Sequence, residues 1–259
     1  MTRISVAPML DWSDRHYRYF MRQITQNTTL YTEMIVADAI LHGNLERLLE
    51  FSCIEEPVIV QLGGSDPIKL ARASSICQKY GYNGINLNVG CPSERVKSGS
   101  FGACLMQDAN LVAECIKSMQ DVVTIPVSVK HRIGLNDNNN YSFVRDFVGT
   151  IANNGCTQFI VHARNAILTG LSPKQNREIP PLKYDYAYQL KLDFPHLEFI
   201  INGGIKTVAD IDIHLQHVDG VMLGREAYYN PYLFSNFDQL YFNSTAPIRT
   251  RHEIALSML

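Results

Sequence analysis

Two segments decide the fold: Phe199-Ile200-Ile201-Asn202-Gly203-Gly204-Ile205 and Val221-Met222-Leu223-Gly224-Arg225. Each is a short apolar run that stops at a glycine turn, and a longer amphipathic stretch separates the two. That alternation marks parallel α/β architecture. The same unit recurs in both directions from here. Strands are expected at Ile4–Ala7, Leu30–Thr32, Val58–Gln61, Ile85–Asn88, Val127–Lys130 and Phe159–Val161, then at Phe199–Ile201 and Val221–Leu223. The runs are nearly continuous in apolar character, as expected for strands buried on both faces. Eight of them in 259 residues fit a single (β/α)8 TIM barrel of roughly 250 residues. A doubly wound sheet would alternate in the same way. It would favour a G-x-G-x-x-G turn after the first strand, which this sequence lacks. Asp66-Pro67 reads as the cap and first turn of a helix through Tyr80, and Asp108 as the start of another through Met119.

Polar residues stand where each run ends. They are Met9 and Asp11, Glu33, Gln61, Asn88 and Cys91, Lys130 and Arg132, His162 and Arg164, Asn202-Gly203-Gly204, and Gly224-Arg225. A closed barrel gathers all eight ends on one rim, where barrel active sites lie.

Composition is that of an ordinary globular protein, with 46% hydrophobic and 19% charged residues. No apolar run is long enough to span a bilayer, and the first residues lead straight into a strand without a signal-peptide pattern. A cytoplasmic location is the expectation, with no membrane partner and a monomeric state. The six cysteines form no C-x-x-C pair, so neither zinc nor any other metal is expected. Most should be small buried residues. A net charge of −2 gives no overall footprint for nucleic acid, which would require basic residues gathered on one face or a basic segment elsewhere.

Three groups at the strand ends carry chemistry. Asn202-Gly203-Gly204-Ile205 and Gly224-Arg225 follow the last two strands, the usual phosphate site of a TIM barrel. Glycine lets backbone N–H groups approach an anion, and Arg225 can add a charge-assisted pair. Lys130 closes an apolar strand and must meet water, a ligand or a partner. It suits either a Schiff base or the negative charge of a reduced flavin. His162 can bond a phosphate or ring carbonyl, and Gln61 can read an amide-like edge. Cys91 sits on the loop Asn88-Val89-Gly90-Cys91-Pro92-Ser93 and can be nucleophile, base or acid.

Taken together, these residues resemble the tRNA-dihydrouridine synthases over essentially the whole chain. Ala7-Pro8-Met9, Gln61-Leu62-Gly63, Asn88-Val89-Gly90-Cys91-Pro92, Lys130 through Gly134, His162-Ala163-Arg164, Asn202-Gly203-Gly204-Ile205 and Gly224-Arg225 occur in the family's order. Three stretches resemble its bacterial A subfamily: Leu10-Asp11-Trp12, Phe101 to Met106, and Gly170 to Leu182. That subfamily is associated with uridines 20 and 20a of the tRNA D-loop. The resemblance implies FMN held by Pro8, Met9, Leu10, Gln61, Lys130, His162, Asn202, Gly203, Gly204, Gly224 and Arg225, with NADPH as reductant. It implies hydride transfer from the flavin N5 to C6 of a flipped-out uracil and a proton from Cys91 to C5. Asn88 would orient the uracil. Arg164, Lys174 and Arg177 would meet the tRNA, with Arg95 and Lys97 as helpers.

Asn165, Ile167, Asp38 and His131 depart from the family's usual residues. Residues 1–240 are expected to form the FMN-binding catalytic barrel. Arg249–Met258 reads as helical, so residues 241–259 are expected to begin a C-terminal helical tRNA-binding domain that is truncated or absent here. Three other readings compete: a flavin oxidoreductase acting on a free pyrimidine, an RNA-binding barrel without turnover, and an aldolase using Lys130.

Overall fold

A computed structural model of the chain describes residues 3–94, 96, 99–138 and 140–259. Arg95 and Lys97 lie outside the described residues. Eight strands form one parallel sheet: β1 Arg3–Val6, β2 Leu30–Val36, β3 Val58–Gly63, β4 Gly84–Val89, β5 Val127–Arg132, β6 Gln158–His162, β7 Glu198–Asn202 and β8 Gly220–Leu223. Seven cover their expected runs in full, and β1 stops at Val6, one residue short of the expected end at Ala7. Their order is β1-β8-β7-β6-β5-β4-β3-β2, with all neighbours parallel. The ring closes where Ser5 of β1 bridges Thr29, the residue before β2. There Val6 N–H donates to the Thr29 carbonyl at 2.9 Å, and Thr29 N–H donates to Ile4 at 3.0 Å. The fold is the (β/α)8 barrel.

Helices cover the outside. The Asp66 carboxylate accepts from Ile68 and Lys69 N–H and caps the helix Pro67–Lys79, with Pro67 in its first turn. Asp108 caps the helix Ala109–Gln120 by accepting from Leu111 N–H. Each such cap is worth ~1 kcal/mol. The main apolar core lies between sheet and helices and includes Leu62, Leu87, Val129, Val161 and Ile201. A smaller cluster of Ala7, Tyr31, Ile160, Ile200 and Met222 plugs the barrel interior, with Met9 and Ile59 packed against it. The helix Arg251–Leu256 is capped by Thr250 and buries Ile254. Arg249 guanidinium donates to the Gln23 carbonyl at 3.2 Å and ties that segment back to the helix Arg15–Ile24.

Strands β3 to β5 differ from the apolar expectation on their inward face. Gln61 Nε2 donates to Asn86 Oδ1 at 2.8 Å, and Asn86 Nδ2 donates to Ser128 Oγ at 2.9 Å. All three residues are buried. A buried polar row is tolerated because its members satisfy one another.

Candidate active site

The strand ends place the expected residues on one rim. Gln61 and Asn88 are joined directly, Asn88 Nδ2 donating to Gln61 Oε1 at 2.8 Å. The Asn88 Oδ1 then accepts from the N–H groups of Gly90 at 3.1 Å and Cys91 at 2.9 Å. Asn88 therefore shapes the Cys91 loop, a task that orienting a uracil alone would not suggest.

That loop is held from two further sides. The Cys91 carbonyl accepts from Ala103 N–H at 2.9 Å. Gly102, at φ +72, permits this approach, since a Cβ there would lie 2.6 Å from the Cys91 carbonyl oxygen. Arg132 holds the neighbouring residue, its Nε donating to the Gly90 carbonyl at 3.1 Å. The same guanidinium donates through Nη1 to the carbonyls of Asn165 at 3.3 Å and Asn176 at 3.0 Å. One buried side chain thus ties the Cys91 loop to the segment after β6. The Cys91 thiol is half-buried, with Ser93 Oγ 3.5 Å away.

Across the mouth, Lys130 Nζ donates to Asn202 Oδ1 at 3.1 Å, and Asn202 Nδ2 donates to the Met222 carbonyl at 2.8 Å. Gly203 and Gly204 follow at φ +118 and +74. A Cβ on Gly203 would lie 2.8 Å from the His162 ring, and one on Gly204 would lie 2.6 Å from Leu182. Tyr184 Oη donates to the Gly203 carbonyl at 2.8 Å and fixes the turn from below. Glycine is required at both positions, for backbone conformation and for space. At Gly224 the nearest atom to an added Cβ is Ala7 Cβ at 3.9 Å, so space does not demand glycine there.

The electrostatics are one-sided. Burial pulls Lys130 down to about 7, with Arg132 adding to the effect and Cys91 opposing it. Burial pulls Arg132 down to about 9, opposed by Cys91 and assisted by Arg177 and Arg164. His162 is driven well below its usual value by burial and then by these same cations, so it is neutral. Arg225 pairs with Glu178 at 2.5 Å, and its second amino group reaches the Arg177 carbonyl at 3.4 Å. Arg164 donates through Nη1 to the carbonyls of Pro180 and Glu178, while its Nε is buried without a hydrogen-bond partner among the described residues. Lys174 is exposed. A rim with this surplus of positive charge is suited to an anion. By contrast, the open groove of about 700 Å³ by the helices Arg15–Ile24 and Leu45–Leu49 sets Asp14, Glu46 and Glu50 against Arg15, Arg18 and Arg47. It carries no comparable surplus.

Pro8 and Met9 stand at the end of β1, where the Met9 carbonyl accepts from Trp12 and Ser13 N–H. Leu10 projects outward and is 65% exposed. Of the cysteines, Cys77, Cys115 and Cys156 are buried, Cys91 and Cys104 are intermediate, and Cys53 is exposed. Cys53 thus departs from the buried expectation, because its short turn Cys53–Glu55 lies on the surface. Among the described residues no group of three His, Cys, Asp or Glu side chains can hold a metal ion. No described helix is long and apolar enough to cross a membrane.

The model of the family "Dihydrouridine synthase (Dus)" matches residues 5–259. The chain belongs to the dihydrouridine synthase family. It is 55% identical over 257 residues to a Vibrio parahaemolyticus protein named tRNA-dihydrouridine(20/20a) synthase, covering 99% of this chain and 78% of that one. A Pasteurella multocida protein of the same name is 57% identical over 256 residues, again at 99% and 78% coverage. A Shigella flexneri relative, also so named, is 57% identical over 244 residues, at 94% and 72%. The chain is accordingly a dihydrouridine synthase of the barrel type.

Arg132 is the site residue whose role in this synthase was least visible beforehand. It stood among the strand-end residues, but its bonds run to loops distant in sequence. The Asn86–Ser128 row had a signal that could have been read, namely polar residues at alternate positions in Asn86-Leu87-Asn88 and Ser128-Val129-Lys130.

Proposed function

We propose that this chain reduces uridine to 5,6-dihydrouridine in the tRNA D-loop, at positions 20 and 20a, with FMN as cofactor and NADPH as reductant. The observation that carries the reading is the pairing of two parts across one mouth. A thiol on a fixed loop, Cys91, faces a half built from the ammonium of Lys130, the neutral ring of His162 and the Gly203-Gly204 turn. The names of the relatives point the same way.

The residues fit FMN. The two positive-φ glycines leave backbone free for a phosphate, and Lys130, Arg132, Arg164 and Arg177 make the surroundings of His162 positive. Gly203, Gly204, Gly224 and Arg225 would hold the phosphate. Pro8, Met9, Leu10, Gln61, Lys130, His162 and Asn202 would border the ring. When bound, reduced FMN supplies a hydride to C6 of the uracil. Cys91 delivers the proton to C5, with Lys130, Arg132 and Arg177 all within electrostatic reach of the sulfur. Asn88 and Arg132 hold the loop so that the proton is presented at a fixed point. Arg164, Lys174 and Arg177 receive the RNA. The reading places the protein in the cytoplasm as a monomer.

The lowered Lys130 also fits a carbonyl-condensing lysine, as in an aldolase. Borohydride trapping of a carbonyl substrate at Lys130 would favour that reading. The purified protein should instead be yellow, release FMN on denaturation, and convert uridine in unmodified tRNA when NADPH is added. A colourless protein that takes up no added FMN would overturn the proposal.

A further inference from the structure

Beside the mouth lies an aromatic surface that neither FMN nor the target uracil accounts for. Trp12, the sole tryptophan of the chain, follows β1, and its ring stacks on Tyr228 with centroids 4.4 Å apart and planes 19° apart. Tyr229 meets Trp12 edge-on at 5.4 Å. Tyr17 lies against Tyr228 at 5.5 Å and is anchored by its hydroxyl, which donates to the Ala227 carbonyl at 2.9 Å. Tyr17 is the structural member of the group. The outer two are not covered, since Tyr228 is 40% and Tyr229 69% exposed. Leu10, two residues before Trp12, is also open to solvent, as is Ile179, which adjoins the Glu178 that pairs with Arg225.

Cations flank this surface on the side of Arg177 and Lys174, with the carboxylates of Asp11 and Glu226 also beside it. Tyr228 and Tyr229 belong to the five-residue helix that Arg225 begins. Arg177 lies within electrostatic reach of Tyr229, and Lys174 and Arg177 both act on Glu178. The nearby carboxylates of Glu178 and Asp14 are already engaged, by Arg225 and by Tyr17 N–H. Exposed aromatic faces interleaved with cations are the arrangement that binds single-stranded nucleic acid.

We propose that Trp12, Tyr228 and Tyr229 form a stacking platform for a nucleobase adjacent to the target uridine, with Arg177 and Lys174 meeting the intervening phosphates. The inference rests on the proposed RNA substrate. Extruding a base into the barrel strips its neighbour of a stacking partner, and an aromatic platform at the mouth replaces that partner. Stacking of this kind tolerates any base, so the platform adds affinity without adding sequence preference.

Trp12 is its own reporter. With the oxidised, FMN-loaded protein and an unmodified tRNA transcript, Trp12 emission should change saturably as RNA is added. Tyr229→Ala should raise the KM for tRNA about tenfold, leave FMN content unchanged and change kcat little, while Tyr229→Phe should keep the wild-type KM. A KM unmoved by Tyr229→Ala, or a Phe variant no better than Ala, would overturn the platform. So would an emission change reproduced in full by inorganic pyrophosphate. If the RNA reading itself is wrong, wild-type protein will fail to reduce tRNA at all. Failure of the platform alone leaves wild-type turnover intact.

Discussion

Lys130 and Asn202 meet across the barrel mouth, the ammonium donating to the amide oxygen at 3.1 Å from strands two apart in the sheet. The lysine is thereby aimed, but its charge is not neutralised. Burial leaves it titrating near pH 7.

That value has a consequence for stability. Between about 7 and the usual 10.5 the unfolded chain binds the proton that folded Lys130 releases, so ligand-free protein gains stability as pH rises through this window. The gain from this one group is at most ~1.4 kcal/mol per pH unit. Lys130→Met should abolish it. Melting temperatures of variant and wild type should favour the variant most at pH 7 and below, with the gap narrowing as pH rises above this. With FMN bound, the same variant should show a lower flavin reduction potential, because the ammonium favours the more negative, reduced ring. An unchanged potential would place Lys130 away from the ring.

Gly203→Ala brings a methyl group to 2.8 Å from the His162 ring at a backbone φ of +118. Relief requires the turn to move. We expect a stability loss on the order of 1–3 kcal/mol and a sharp drop in retained FMN. Gly224→Ala, with an open neighbourhood, should be milder by both measures. Thermal melting and the flavin-to-protein absorbance ratio read the two effects.

Arg132→Met leaves three carbonyls, those of Gly90, Asn165 and Asn176, without the guanidinium. Uridine reduction should fall by roughly a hundredfold, because the Cys91 loop loses its fixed position. FMN should still bind, since the Arg132 guanidinium is hydrogen-bonded to none of its expected partners. Stability should drop by about 3 kcal/mol. Arg132→Lys, with one head group for three acceptors, should recover only part of the rate. Single-turnover kinetics on FMN-loaded variants separate this effect from lost cofactor.

Much of this was legible in the sequence, for physical reasons. Runs such as Phe159-Ile160-Val161 are short and rich in β-branched residues, which favours strands over helices, and polar residues after each run reveal the rim once eight strands close. Other parts were not legible. Asn86 and Ser128 sit inside apolar strands, and their pairing depends on β4 and β5 lying in a register that aligns them. Trp12 and Tyr228 are far apart in sequence and meet only because β1 pairs with β8. The Arg132 clamp needs the segment after β6 to fold back so that the Asn176 carbonyl reaches it. Such contacts follow from closure and loop packing, which periodicity does not encode.

On the proposed function, Cys91 supplies the proton that completes reduction of the uracil. The most direct measurement of this step is the flavin spectrum of Cys91→Ala in two stages. NADPH should bleach the flavin absorbance as in the wild type, because the cofactor groups are untouched. Unmodified tRNA, added anaerobically, should then restore the oxidised spectrum in the wild type and leave the variant reduced, with no dihydrouridine in the recovered RNA. Reoxidation of the variant by tRNA at the wild-type rate, with full dihydrouridine formation, would contradict the account.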